Sequence, residues 1–394
     1  MEYHRIFVLV MDSVGIGSDE KAALYADNGA NTLMHIADKA GPLNLVTLNS
    51  LGLYSICKYK GGSKVSHPHS LVTRLHETSN GKDTLTGHHE MMGIYTLKPF
   101  KTFTDTGFPI SLINELEKKT GHKIIGNKAA SGTEIIKELG EEQIRDNSLI
   151  VYTSSDSVLQ IAASEEITGL EELYRCCYIA REICMKDEYK VGRVIARPFV
   201  GDNRSNFKRT SNRHDYALKP ESNTVLDYLK DNNLEVISIG KINDIFAGCG
   251  ITKAIKTTSN SDGMNKTMEV IDTNFKGLCF INLVEFDSEY GHRRDVVGYK
   301  NALETFDKEL ATLISKLHDD DLLMITADHG NDPTWKGTDH TREKTPLLIY
   351  SKNISTGRHI DDRDSFSDIG ATILNNFNID KPYYLIGSII KEVF

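Results

Sequence analysis

Four short stretches of this chain gather side chains that can hold metal ions or attack phosphorus. VLVMDSVGIG places Asp12 at the end of an apolar run. NLVEFDSEYGHRRD sets Asp287 and His292 five positions apart, and TADHGNDPTWKGTDHTRE offers the adjacent pair Asp328 and His329, with His340 eleven positions later. Carboxylates mixed with imidazoles suit Mn²⁺ or Zn²⁺, whereas an all-oxygen Ca²⁺ site needs no histidine. Three Asp and three His exceed what one ion takes, so two ions sharing a bridging group are expected.

The fourth stretch, GKDTLTGHHE at residues 81–90, holds almost nothing that would fill a core. Gly, Asp and Thr are ordinary turn residues. They also suit a loop that presents a nucleophile. A threonine hydroxyl is a poor nucleophile at neutral pH, but coordination to a divalent cation lowers its pKa. Thr84 follows an acid and Thr86 lies two residues on, and by chemistry alone either could serve.

Each of these residues has a plainer use when taken singly. Asp caps turns and helices, Asp–His pairs form simple hydrogen bonds, and Asp332 and Asp339 fit as turn acids. Lone histidines such as His4, His35 and His318 are read as surface or core residues. DHGND followed by TDH after a buried run is harder to dismiss, because loops of that composition at strand ends usually carry function.

The segments that must position these residues are short apolar runs: RIFVLVMD, SLIVYTSSD, EVISIGKIND, LCFINLVEFD and LLMITADHGND. They are continuous rather than alternating and rich in Val, Ile and Leu, as in parallel strands covered on both faces. Helical patterns such as ISLINELEKKT and YKNALETFDKELATLISKLHDD lie between them, which predicts an α/β sheet with crossover helices. Several runs end in an acid (Asp12, Asp156, Asp244, Asp287, Asp328), and ligands of open α/β sheets bind just beyond the carboxyl ends of strands. Residues 100–218, from near KPFKTF to NFKRTSNRHDYALKP, read as an inserted domain with its own sheet. Residues 1–99 and 219–394 then form the metal-binding core.

At 394 residues the chain is too long for one small core. A net charge of −9 argues against sequence-independent nucleic-acid binding, which needs a basic face. The six cysteines show no C-x-x-C pair and read as reduced thiols. No stretch approaches the roughly 20 apolar residues of a membrane span, so a cytoplasmic protein is expected.

Taken together, VMDSVGIG, GKDTLTGHHE, NLVEFDSEYGHRRD and TADHGNDPTWKGTDHTRE resemble the phosphopentomutase family of the alkaline phosphatase superfamily. The likeness continues through SLIVYTSSDSVLQIAA, VGRVIARPFVG, RTSNRHDYALKP and FSDIGATI, so it spans nearly the whole chain. It implies an alkaline-phosphatase-like core, with a central mostly parallel sheet flanked by helices, and an inserted α/β cap domain. It selects Thr84 as the phosphorylated residue, with Asp83 orienting the loop. Two Mn²⁺ are implied, one with Asp12, Thr84, Asp328 and His329, the other with Asp287, His292 and His340. Asp156 matches a residue expected to meet the ribose hydroxyls. Arg193 and Lys241 look like contacts for the distal phosphate, with Arg209 and Arg213 as further candidates. One departure stands out: the family usually carries Trp where this chain has His89, which exchanges an aromatic face for an imidazole able to bind metal or phosphate.

The activity implied is interconversion of ribose 1-phosphate, or its 2-deoxy form, with the 5-phosphate. The route is a phosphothreonine and a 1,5-bisphosphate, with glucose 1,6-bisphosphate or ribose 1,5-bisphosphate as activator. The partner is then a small sugar phosphate, with no nucleic acid or membrane; the oligomeric state is left open, a monomer included. A phosphatase or phosphodiesterase of the same superfamily would use the same metals and end on water. A phosphoglycerate-directed mutase fits less well, because the nucleophile reads as Thr. A non-catalytic metal-binding protein would leave the Thr84 loop as plain turn chemistry.

Overall fold

The computed structural model describes residues 2–154, 157–354 and 356–394. They form two compact units: Met1–Pro99 with Lys219–Phe394, and Phe100–Leu218. Strands are numbered along the chain. The first unit carries β1 (Arg5–Met11), β2 (Leu71–Leu75), β9 (Glu235–Ile239), β10 (Lys253–Ile255), β11 (Gly277–Leu283), β12 (Asp321–Thr326), β13 (Thr345–Tyr350) and β14 (Arg358–His359). The second carries β3 (Ile124–Ala129), β4 (Leu149–Thr153), β5 (Val158–Ser164), β6 (Arg193–Val200), β7 (Lys208–Arg209) and β8 (His214–Ala217).

The sheet of the first unit runs β10-β9-β11-β1-β12-β13-β2-β14. Its centre is parallel: β1 pairs in parallel with β11 on one side and β12 on the other. The apolar runs explain why. Phe7, Leu9 and Met11 of β1 enter one core cluster, while Ile6, Val8 and Val10 enter the cluster on the opposite face. A strand buried on both faces has no polar side to show, so its sequence does not alternate. The helix Val296–Lys316 covers the first face with Leu303, Phe306, Leu310 and Leu313, and the helix Ser367–Asn376 brings Ile369, Ile373 and Leu374 to the second. Each such side chain contributes about 1.5–3 kcal/mol by leaving water. The sheet turns antiparallel at β13, which pairs against both β12 and β2.

The second unit has its own mixed sheet, β3-β4-β5-β6-β7, with β8 paired to β6. Its cores hold Leu116, Val151, Ile161 and Val194 in one cluster, and Ile135, Ile150, Tyr152 and Phe199 in another. The helices Ile110–Thr120, Gly132–Asp146 and Leu170–Ile183 pack on it. Among the described residues no helix is long and apolar enough to cross a membrane.

Candidate metal centre

Asp12 follows β1 directly, Asp328 comes two residues after β12, and Asp287 lies on a turn of π-helix, Phe286–Gly291, beyond β11. Three neighbouring parallel strands therefore deliver three carboxylates to one edge of the sheet, at their carboxyl ends. Single turns of π-helix often occur at functional sites. Ser13 turns the chain sharply with φ 70°, and its N–H donates to Asp328 Oδ1 at 3.0 Å, tying the first carboxylate loop to the second.

The three histidines are oriented in one way. Nδ1 of His292, His329 and His340 faces the carbonyl oxygens of Thr338, Gly330 and Lys82 at 2.7, 3.0 and 2.9 Å. A ring nitrogen facing a carbonyl must carry the proton, which leaves each Nε2 with a lone pair for a ligand. Those lone pairs converge with the carboxylates. His292 Nε2 is 3.1 Å from both Asp287 Oδ2 and His340 Nε2, and His329 Nε2 is 3.3 Å from Asp328 Oδ2 and 3.6 Å from Asp12 Oδ1. The rings of His329 and His340 stack with centroids 3.9 Å apart.

Lone pairs and carboxylates brought this close repel unless cations lie among them. Asp12 Oδ1 and Asp328 Oδ2 are buried without a hydrogen-bond partner. Burial drives the Asp12 carboxyl well above its ordinary range, and the charges of Asp328 and Asp287 push it the same way. Burial would raise Asp287 too, but when no ion is bound and His292 and His340 take up a second proton, their charge overcomes it and holds that carboxyl well below the usual range. Two overlapping donor groups result, Asp12–Asp328–His329 and Asp287–His329–His340, with His292 beside the second. This nitrogen and oxygen set fits divalent transition-metal ions.

Thr84 opens the helix Thr84–Met91, and Asp83 caps it. Asp83 accepts from the Thr86 N–H at 3.1 Å and from the Thr86 hydroxyl at 2.6 Å. Thr86 is thereby occupied in the cap, whereas Thr84 Oγ1 lies 3.1 Å from His329 Nε2. The geometry separates two threonines that composition left equivalent. Gly87 lets this helix approach: a Cβ there would sit 2.3 Å from the Asp328 carbonyl oxygen.

Around these ligands stand residues that the sequence did not single out. Asn282 of β11 donates to Asp12 Oδ2 at 2.7 Å and sits 3.3 Å from His88 Nε2, and His88 Nδ1 is 2.9 Å from the Thr84 carbonyl oxygen. Asn331 donates to Asp287 Oδ1 at 2.7 Å and accepts from Arg294 at 2.6 Å. The Arg294 guanidinium also reaches the carbonyls of Asp332, Gly337 and Asp339, so it pins the loop that carries His340. All four lie inside stretches that the sequence marks, His88 in GKDTLTGHHE, Asn282 and Arg294 in NLVEFDSEYGHRRD and Asn331 in DHGND, but nothing local assigned them these partners.

His89 departs from what its type suggested. Its Nε2 donates to the Ile245 carbonyl at 3.1 Å and its ring lies 5.1 Å from Phe246, so this imidazole is spent on packing. Lys241 follows β9 and caps the short helix Ile242–Ile245, within electrostatic reach of Asp12. In the second unit, Arg193 opens β6, with its guanidinium 3.7 Å from Asp215. Arg213 pairs with Asp215 through two bonds of 2.6 Å, and Arg209 is exposed on β7. Asp156 lies outside the described residues.

The model of the metalloenzyme superfamily matches residues 4–381. A phosphopentomutase of Clostridium tetani is 55% identical over 393 residues, covering 99% of both chains. One of Agathobacter rectalis is 55% identical over 395 residues, covering 100% of both. Among solved structures, the phosphoglycerate mutase of Leishmania mexicana aligns with a TM-score of 0.51 over 99% of this chain and 98% of its own, at 12% identity, which supports the fold alone. A mutase-type, metal-dependent enzyme is the coarse reading these relatives allow. With that identity sustained from end to end, the chain belongs to the phosphopentomutase family of the metalloenzyme superfamily.

Proposed function

We propose that the protein interconverts ribose 1-phosphate, or 2-deoxyribose 1-phosphate, with the corresponding 5-phosphate through a phosphorylated Thr84. The observation that carries this reading is the Thr84 hydroxyl, 3.1 Å from His329 Nε2 beside buried carboxylate oxygens that lack partners. Asp12, Asp328 and His329 would hold one Mn²⁺ together with the Thr84 hydroxyl, and Asp287, His292 and His340 the other. When bound, the two ions lower the hydroxyl's pKa and neutralise phosphoryl oxygens.

The chain's own residues do the rest. Thr84 lies at the first position of its helix, where the positive end of the dipole favours a phosphoryl group. Phosphothreonine passes its phosphoryl group to the free sugar hydroxyl: the Thr84 Oγ–P bond breaks, a sugar O–P bond forms, the proton of the sugar hydroxyl passes to the Thr84 oxygen, and a 1,5-bisphosphate results. The bisphosphate then returns its other phosphoryl group to Thr84. A sugar bisphosphate, glucose 1,6-bisphosphate or ribose 1,5-bisphosphate, charges the first cycle. Lys241, Arg193, Arg209 and Arg213 would meet the phosphate that is not reacting, and Asp156 the ribose hydroxyls, with residues 100–218 acting as a substrate-binding cap. In this reading the enzyme works in the cytoplasm on small sugar phosphates.

Transfer of radiolabelled phosphate from glucose 1,6-bisphosphate, followed by peptide mapping, tests the assignment. Label on the peptide holding Thr84 is expected. Turnover with label on a different residue, or with none on the chain, would overturn it.

A further inference from the structure

Arg342 is the largest fully buried side chain among the described residues. Burying a guanidinium is costly unless its charge is balanced and its donors are met. Nε donates to Asp19 Oδ2 at 2.6 Å, and Nη1 lies 2.7 Å from Glu77 Oε2. The other bonds go to main chain: Nη1 to the Ser79 carbonyl at 2.9 Å and to the Gly81 carbonyl, and Nη2 to the Glu77 carbonyl.

Those three carbonyls belong to the segment that leads to Thr84, and the segment lies outside the strands of the sheet. Its amides are met by another buried side chain. Glu90 accepts from the Thr78 N–H at 2.9 Å and from the Ser79 N–H at 2.6 Å. Arg342 and Glu90 thus serve residues 77–81 as neighbouring strands would. Arg342 also comes two residues after His340, whose Nδ1 meets the Lys82 carbonyl at 2.9 Å. One short piece of the metal loop therefore holds the nucleophile segment at both of its ends.

We propose that Arg342 is a positioning residue for Thr84: it fixes the nucleophile segment against the metal loop, so that the Thr84 hydroxyl stays in register with the ligands. This rests on the reading of Thr84 as the phosphoryl acceptor. A charge plug would be satisfied by Asp19 and Glu77 alone. The three carbonyl bonds are what single out the path to Thr84.

Lysine keeps the charge but loses the planar fork that reaches several acceptors. In Arg342→Lys, kcat per folded molecule should fall about 10- to 100-fold, as for a reacting group displaced by about an ångström. The rate of Thr84 phosphorylation from glucose 1,6-bisphosphate should fall by the same factor. KM for ribose 1-phosphate and the affinity for Mn²⁺ should stay within about 3-fold. A lower melting temperature with wild-type kcat per folded molecule would reduce Arg342 to a structural part and overturn the proposal. A loss confined to KM or to Mn²⁺ affinity would do the same. If Arg342→Lys does not fold, the double variant Arg342→Gln with Glu77→Gln removes a carboxylate together with the cation, and the same split between kcat and KM decides. The wild-type protein is the control. Absence of Thr84 labelling in it removes the reading on which the proposal rests, whereas wild-type labelling matched by the variants removes the positioning role alone.

Discussion

Thr84 and Thr86 sit two positions apart and differ in what surrounds their hydroxyls. Thr86 is bonded to Asp83 in the helix cap, and Thr84 points to His329. Thr84→Ala should lower mutase turnover by at least about a thousandfold, as loss of a covalent nucleophile does. Thr86→Ala should cost about 1 kcal/mol of stability through the weakened cap and keep most of the turnover. A steady-state assay beside urea unfolding of both variants checks the contrast; equal loss of turnover in the two would contradict it. His89 supplies a second prediction at this scale. Burial pushes its pKa from 6.5 down to about 4, so the folded state takes up its proton later than the unfolded chain. Stability is therefore complete above the higher value and falls as the pH drops between the two, by roughly 3 kcal/mol at most. Trp keeps an N–H donor and does not titrate. His89→Trp should flatten the unfolding free energy between pH 6.5 and pH 4, and an unchanged slope would mean that His89 is not the group responsible.

The helix Thr84–Met91 presses on the loop after β12, and Gly87 is where they meet. Gly→Ala in a helix ordinarily stabilises by up to about 1 kcal/mol. Here the added Cβ would lie 2.3 Å from the Asp328 carbonyl, so the steric term wins. Gly87→Ala should destabilise by about 1–3 kcal/mol and weaken Mn²⁺ binding, as read by calorimetric titration. A variant as tight and as stable as wild type would show that the two elements are not in contact. The elements that carry ligands were legible for a physical reason. β1, β11 and β12 are buried on both faces, so their runs are continuous and their ends are marked by Asp12, Asp287 and Asp328. The strands β2 and β13, beyond the parallel centre of the sheet, were not, because SLVTRL and TPLLIY are short and set among polar loops. Asn282, Arg294 and Arg342 lie inside the quoted stretches, but their residue types there did not mark them for these roles. Each is an ordinary polar residue until the fold brings a carboxylate or a row of carbonyls to it. His89 was misread for the converse reason, since its type suggested a ligand and its surroundings made it a core residue.

Across the whole molecule, unbalanced charge at one edge of the first unit's sheet is the feature that links stability to function. Binding of an ion to the folded state alone stabilises it by about 2.7 kcal/mol at a hundred times its Kd. Adding Mn²⁺ to chelator-treated protein should therefore raise the melting temperature, and Asp287→Asn should shrink that rise; a rise of equal size in the variant would remove Asp287 from the site. The most direct test of the mutase reading is phosphorus NMR of the purified protein with Mn²⁺, ribose 1-phosphate and a trace of glucose 1,6-bisphosphate. Conversion to ribose 5-phosphate with little inorganic phosphate is the expected result. Inorganic phosphate as the main product would contradict it, because the phosphoryl group on Thr84 would then be passing to water instead of to the sugar.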